Sequence, residues 1–243
     1  MASDILKQDK FLHVQKPGDV LVSANGIFNA GFYPVGENAF CFSVWFNNST
    51  DPNRTVVWMA NRDQPVNGIG SKLELLGNGK LILTDAGRRT EWTVDIFAAS
   101  PVQLKLLNTG NLVLQRTDND AFLWQSFNSP TDTLLPDQVL TKDTYLISSR
   151  SRSNYFSGNY KLYFDNDNVL RLLYQVPNIT SVYWPAPWRL SWQKGSDRST
   201  YNSSRVAVLN SSGYFRSSDA LWFWAADSGS EMDCYLAIPY STM

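Results

Sequence analysis

Histidine is almost missing from this sequence, and the single copy, His13, excludes most chemistry that depends on an imidazole. It is followed by Val14 and stands ahead of the repeated part of the chain, so neither a Ser-His-Asp triad nor a kinase His-Arg-Asp loop can be assembled around it. No glycine-rich phosphate loop with a strand lysine and ordered metal-binding partners is present, and carboxylates such as Asp63 and Glu74 have no spacing that argues for glycoside hydrolysis. The expectation is no catalytic residue and no cofactor. Cysteine is nearly as scarce. Cys41 and Cys234 form no CxxC, which removes zinc ribbons and redox motifs, and they leave two readings open: one disulfide, or two buried thiols.

Charge of one sign is also lacking, with 21 basic against 22 acidic side chains, so nothing here would displace counterions from a nucleic acid. Apolar runs are strand-sized and fall well short of a membrane span. The first ten residues are polar and charged, unlike a secretory leader, so either the chain stays inside the cell or its leader is missing. Helical periodicity is absent too. What is abundant is aromatic: nine tryptophans, eleven tyrosines and thirteen phenylalanines.

From Asp19 to Ile238 short alternating apolar runs, bounded by Gly, Asn, Asp and Pro, predict an all-β chain. In the run 39–46, Phe40, Phe42, Val44 and Phe46 share one face and Cys41, Ser43 and Trp45 the other. A repeat is visible. Leu76-Gly77-Asn78-Gly79-Lys80-Leu81-Ile82-Leu83 returns 31 residues later as Leu107-Asn108-Thr109-Gly110-Asn111-Leu112-Val113-Leu114, each closed by a tryptophan, Trp92 or Trp124. Weaker echoes start at Ser23 and Leu209. Such a hairpin cannot bury its inner face alone, so copies must pack together. The pattern divides into an N-terminal arm (1–18), a first module (19–140), a Ser/Arg-rich connector (141–157) and a second related module (158–243) with fewer repeats, read as truncated.

The blocks Thr55-Val56-Val57-Trp58-Met59-Ala60-Asn61-Arg62-Asp63-Gln64-Pro65-Val66, the 107–114 repeat and Trp124-Gln125-Ser126-Phe127-Asn128-Ser129-Pro130-Thr131-Asp132-Thr133-Leu134-Leu135-Pro136 resemble the bulb-type (mannose-binding) lectin domain. The form they resemble is that of S-locus glycoproteins and plant G-type lectin receptor-like kinases. The resemblance implies a β-prism, three four-stranded antiparallel sheets about a pseudo-threefold axis, with Trp45, Trp58, Trp92 and Trp124 filling the centre. It also implies a position outside the plasma membrane, a glycan or glycoprotein ligand, and homo- or hetero-oligomers formed through the lectin modules. Full-length relatives carry a serine/threonine kinase, of which no motif is found in this sequence.

In active lectins of this family the sugar site reads Q-x-D-x-N-x-V-x-Y, placing amide, carboxylate, amide, methyls and phenol on one strand face. The aligned positions are Leu76, Asn78, Lys80, Ile82 and Thr84 in one repeat and Leu107, Thr109, Asn111, Val113 and Gln115 in the next. A third candidate is Phe164, Asn166, Asn168, Leu170 and Leu172. Only Asn111 and Val113 match the motif together, and they are the expected carbohydrate-binding residues; no repeat keeps the carboxylate. Asp165-Asn166-Asp167-Asn168 lacks the glycine and closing glutamate of a calcium loop and reads as a turn, so no metal site is expected.

N-x-S/T triplets begin at Asn47, Asn48, Asn53, Asn178, Asn202 and Asn210, and Asn48, Asn53, Asn178, Asn202 and Asn210 are the expected N-glycosylation sites. The function expected is non-catalytic recognition of mannose-type glycans. Two alternatives stand beside it: a lectin fold with decayed sugar sites that serves as a protein-interaction surface, and a truncated gene product.

Overall fold

The computed structural model describes residues 3–16, 18–47, 55–96, 100–185, 198–224, 235–238 and 240. They are all-β apart from one short 3-10 turn, and they divide into two compact units, Met1–Asn128 and Ser129–Met243. The first unit begins with β1 (Ile5–Lys7), β2 (Lys10–His13), β3 (Leu21–Val22), β4 (Phe28–Gly36), β5 (Ala39–Phe46) and β6 (Val56–Met59). It continues with β7 (Val66–Asn67), β8 (Lys72–Leu75), β9 (Leu81–Thr84), β10 (Thr90–Val94), β11 (Val102–Leu106), β12 (Leu112–Arg116) and β13 (Phe122–Gln125).

These strands form three antiparallel sheets: sheet I, β1-β11-β12-β13; sheet II, β2-β8-β9-β10; and sheet III, β3-β4-β5-β6 with β7 on β5. Alternation fixes which face is inward. In β8, β9 and β11 every second residue is a buried Leu or Val, while Lys72, Glu74, Ile82, Thr84, Gln103 and Lys105 turn out. Each sheet then contributes one indole to a common centre. Trp58, Trp92 and Trp124 lie opposite Val44, Leu83 and Leu114, and each stands beside a shift in strand register. The three rings meet edge to face with centroids 5.6–6.1 Å apart. This is the β-prism.

Trp45 is not part of that centre. It alternates to the other face of β5, packs on Tyr33 at 5.8 Å, and lies so close to Gly31 that a Cβ there would stand 3.3 Å from the indole. The expectation that four tryptophans fill the axis is corrected to three, because residues one apart on a strand face opposite ways.

The hairpins share one turn. The first residue donates its N–H to the carbonyl of the fifth at 76–80, 107–111, 165–169 and 210–214 (2.9–3.0 Å). The fourth residue is left-handed in every copy: Gly79 (φ +88°), Gly110 (+81°), Asn168 (+67°) and Gly213 (+79°). This is a three-residue hairpin loop with its bulge residue in the left-handed region, which explains why glycine or asparagine recurs there.

The second unit contains β14 (Thr133–Leu134), β15 (Val139–Leu140), β16 (Leu146–Ser151), β17 (Asn154–Phe164) and β18 (Leu170–Val176). It also contains β19 (Ile179–Trp184), β20 (Ala207–Leu209), β21 (Tyr214–Ser217), β22 (Trp222–Trp224) and β23 (Leu236–Ala237). Sheet IV runs β16-β17-β18-β19, sheet V runs β15-β20-β21-β22, and β14 pairs with β23. Trp184 and Phe223 stand on the last strands of sheets IV and V, facing Leu172 and Phe215. They repeat the placement of Trp58, Trp92 and Trp124.

Two expected boundaries move. The arm 1–18 is not an appendage: β1 completes sheet I beside β11, and β2 completes sheet II beside β8. The connector 141–157 is largely strand. β16 pairs with β17, and its Ser148 is fully buried with Oγ accepting the Tyr160 N–H (3.2 Å), so a polar run reads as linker while serving as core.

Candidate carbohydrate-binding faces

The sugar motif needs an outward ladder that solvent can reach, and sheet I does not provide one. Asn111, Val113 and Gln115 do share the outer face of the 107–115 repeat, yet all three are buried. The Asn111 Nδ2 donates to Gln125 Oε1 (2.8 Å), and its Oδ1 accepts from Ser126 Oγ (3.2 Å) and the Phe127 N–H (3.3 Å). Ser126 Oγ accepts the Leu112 N–H (2.9 Å), and Gln115 Nε2 donates to Asp120 Oδ1 (2.8 Å). The 3-10 turn Ser126–Asn128 thus folds back onto the ladder. The two residues matching the lectin motif are brought together, but as the lock of that turn rather than as groups turned to solvent.

The third candidate faces the wrong way. Phe164, Leu170 and Leu172 belong to or pack on the hydrophobic core of the second unit. The turn explains the slip: Asn168 occupies the left-handed place that Gly110 holds in the 107–111 turn, so Val169, not Asn168, is the equivalent of Asn111. Moving a strand by one residue exchanges its faces. Asn168 itself is tied, donating Nδ2 to the Thr200 carbonyl (2.9 Å) and accepting from Arg205 Nε (2.7 Å).

Sheet III is closed by Trp45 and by Val20, whose side chain would lie 2.7 Å from a Cβ on Gly31. Sheet II is the open face. Ile82 and Thr84 are half-exposed on β9, in register with Glu74 and Lys72 on β8, and Lys72 Nζ pairs with Glu74 at 2.6 Å. Lys80 reaches Asp95 (2.9 Å), and Phe11 lies across from Glu74 with Lys72 Nζ 5.4 Å from its ring centre. The repeat has Asn78 where the motif has its carboxylate; an acidic side chain does stand on this face, Glu74 of the neighbouring strand, across from Ile82. Sequence alignment of one repeat could not find it, since the pairing of β8 with β9 is what brings it there.

Residues 55–154 match the D-mannose binding lectin family. Over that stretch the chain carries a D-mannose binding lectin domain. Among its relatives, a receptor protein kinase of Zea mays, ZmPK1, is 41% identical over 222 residues, covering 89% of this chain and 26% of the relative. The S-locus-specific glycoprotein of Brassica oleracea var. alboglabra is 30% identical over 187 residues, covering 69% of this chain and 42% of the relative. The chain therefore spans less than half the length of these relatives. The mannose-specific agglutinin from snowdrop (Galanthus nivalis) bulbs aligns with a TM-score of 0.36 at 17% identity, over 49% of this chain and 94% of that one.

The first unit holds a free thiol. Cys41 is buried in β5, with Sγ 3.5 Å from the Asn61 carbonyl, and it makes no disulfide; Cys234 lies outside the described residues. Burial pushes the Cys41 pKa up to about 12, the nearby Arg62 opposing and Asp63 adding to the shift. Of the expected glycosylation sites, Asn178, Asn202 and Asn210 are exposed on turns, and Asn48 and Asn53 lie outside the described residues. Among the described residues no cluster of three or more His, Cys, Asp or Glu could hold a metal ion, and no helix is long and apolar enough to cross a membrane.

Proposed function

We propose that the chain is a non-catalytic glycan-recognition ectodomain, of the type that S-receptor-like kinases hold outside the cell, and that mannose-type glycans contact the outer ladder of sheet II. The observation supporting this is that sheet II alone among the three sheets of the first unit pairs an open ladder with a carboxylate, Glu74, flanked by Thr84, Lys72 and Lys80. A carboxylate accepts two sugar hydroxyls in charge-assisted hydrogen bonds roughly twice as strong as neutral ones, which is the physical core of lectin recognition. Asn178 and Asn210 carry N-glycans in this reading, since each is exposed where an oligosaccharide can be added.

A glycan array followed by titration with a mannose-rich oligosaccharide tests the proposal. Glu74→Gln lowers affinity about ten-fold and Thr84→Val by less, with folding unchanged, because both side chains are on the surface. Binding that ignores both substitutions overturns the site. The closure of sheets I and III supports a second reading, in which the sugar sites have decayed and the prism is a protein-interaction surface. An array without a single glycan hit, from a chain that unfolds cooperatively, selects that reading instead.

A further inference from the structure

The second unit turns two tryptophans outward, whereas Trp58, Trp92 and Trp124 of the first turn in. On β22, Phe223 faces the core and stacks on Phe215 at 4.7 Å, while Trp222 and Trp224 alternate to the outer face and stay 60% and 56% exposed. Tyr214, directly across from Trp224 in the ladder, joins them: its ring centre is 4.8 Å from Trp224 and 6.3 Å from Trp222. Arg216 stands across from Trp222. Tyr214, Arg216 and Trp222, together with Asn202, Val206 and Val208, line a groove of about 600 Å³, and Trp224 stands beside it through its contact with Tyr214.

We infer that this face of sheet V is a carbohydrate site that takes an acidic glycan, a chain of uronic acid residues, by stacking on Trp222, Trp224 and Tyr214 and by pairing its carboxylates with Arg216. Large exposed aromatic surface is disfavoured in water unless it meets a partner. Residues two apart on a strand are spaced by about 6.6–6.8 Å, so Trp222 and Trp224 offer successive flat surfaces to an extended chain rather than one pocket to a single ring. The rest of the lining selects the ligand. Among the described residues no Asp or Glu lines the groove and Arg216 has no ion pair, so the described lining carries uncompensated positive charge. A guanidinium engages a planar carboxylate through two parallel hydrogen bonds, and a pyranose ring presents an apolar C–H face to an indole together with hydroxyls for Asn202 and Ser218. None of these contacts uses the amide-and-carboxylate ladder of the lectin motif.

This inference rests on the reading of the chain as a glycan-recognition module, and its test separates the two. Asn202 lies in the groove and begins an N-x-S triplet, so all proteins carry Ser204→Ala to keep an attached glycan from occupying the site. Oligogalacturonate, its methyl-esterified neutral form and a mannose-rich oligosaccharide are titrated into the full chain, with indole fluorescence and calorimetry as readouts. Oligogalacturonate binds and shifts the tryptophan emission. The esterified form and Arg216→Gln each weaken binding about ten-fold, and Trp222→Ala with Trp224→Ala abolishes it. Thermal unfolding within a few degrees of the parent confirms that these exposed positions leave the fold intact, and Arg216→Gln gives an independent answer should the tryptophan pair unfold it. Mannose binding through Glu74 without oligogalacturonate binding overturns this site and leaves the sheet II proposal standing. Oligogalacturonate binding that survives the tryptophan pair or Arg216→Gln overturns it as well. No glycan binding at all overturns both.

Discussion

The two units of this chain use one hairpin and place its aromatic residue differently. In the first, Trp58, Trp92 and Trp124 close the strands of three sheets and meet one another at the centre. In the second, Trp184 and Phe223 hold the equivalent inward places, Trp222 and Trp224 are turned to solvent, and an ion pair sits between the sheets. Asp219, fully buried, accepts from Arg198, from the Leu170 N–H of sheet IV (2.8 Å) and from the N–H of Leu221, the residue before β22 (3.2 Å). Arg198 in turn donates to the Leu170 carbonyl (2.7 Å) and lies 4.8 Å from the Trp184 ring. A repeated backbone plan thus tolerates two kinds of junction, one built on indoles packed edge to face and one built on a buried Asp219–Arg198 pair held by backbone groups of Leu170 and Leu221.

The comparison can be broken at several points. The largest effects are expected where each junction loses its centre. Trp58→Ala should destabilise the first unit by about 3–5 kcal/mol through the cavity it leaves, and Asp219→Ala should cost the second unit about 3–5 kcal/mol because Arg198 is left buried without its counter-charge. Urea unfolding of each variant, followed by fluorescence, reads both; a loss under 1 kcal/mol in either would show that the junction is ornamental. Asn111→Ala comes next, at about 1–3 kcal/mol, since it strands Gln125 and the hydroxyl of Ser126. That variant should bind mannose-rich glycans as the parent does once the unfolded fraction is corrected for, and specific loss of binding would restore Asn111 as a sugar contact.

Smaller again, per pH unit, is an alkaline effect confined to the first unit. The folded Cys41 pKa of about 12 lies above the thiol's value of 9.0 in the unfolded chain, so its contribution to stability is complete below pH 9 and is lost as pH rises toward 12. The slope from this one group is at most about 1.4 kcal/mol per pH unit. Comparing the pH dependence of unfolding with that of Cys41→Ala isolates it, and equal slopes would refute the assignment. The smallest effect belongs to the outer faces. Trp222→Ala should move stability by no more than about 0.5 kcal/mol, and Lys80→Ala by less than about 1 kcal/mol, because exposed ion pairs contribute little. A larger loss from Trp222→Ala would mean that the indole is a structural element rather than a free surface.

Much of the fold was legible in the sequence because its signals are local. A glycine or asparagine in the fourth place of the turn, an alternating Leu run after it and a tryptophan on the next strand all fall within about twenty residues, so the repeats at 76 and 107 announce themselves. What escaped was non-local. β1 is only three residues long and gains its partner from β11, nearly a hundred positions away, so nothing near Ile5–Lys7 signals a strand. Ser148 and Ser149 look like linker until Gly158 is seen to approach them so closely that a Cβ would stand 2.5 Å from the Ser148 hydroxyl.

The candidate site was harder for the same reason. Asn111 and Val113 agree with the lectin motif letter by letter, but accessibility depends on Gln125 and Ser126, which come from the following strand and turn. Asn168 was misplaced because an asparagine took the turn position usually given to glycine. Glu74 and the Trp222–Trp224 face could have been suspected from alternation alone: a charged residue between two leucines in Leu73-Glu74-Leu75, and an aromatic triplet whose outer members must share a face.

The indole triad has an optical consequence. Three chromophores held edge to face within about 6 Å of one another couple their transition dipoles, and each is contributed by a different sheet. The circular dichroism of this chain should therefore carry an exciton signature in the strong far-ultraviolet indole band that collapses when any one sheet detaches, giving the prism a built-in gauge of its own assembly that needs no label.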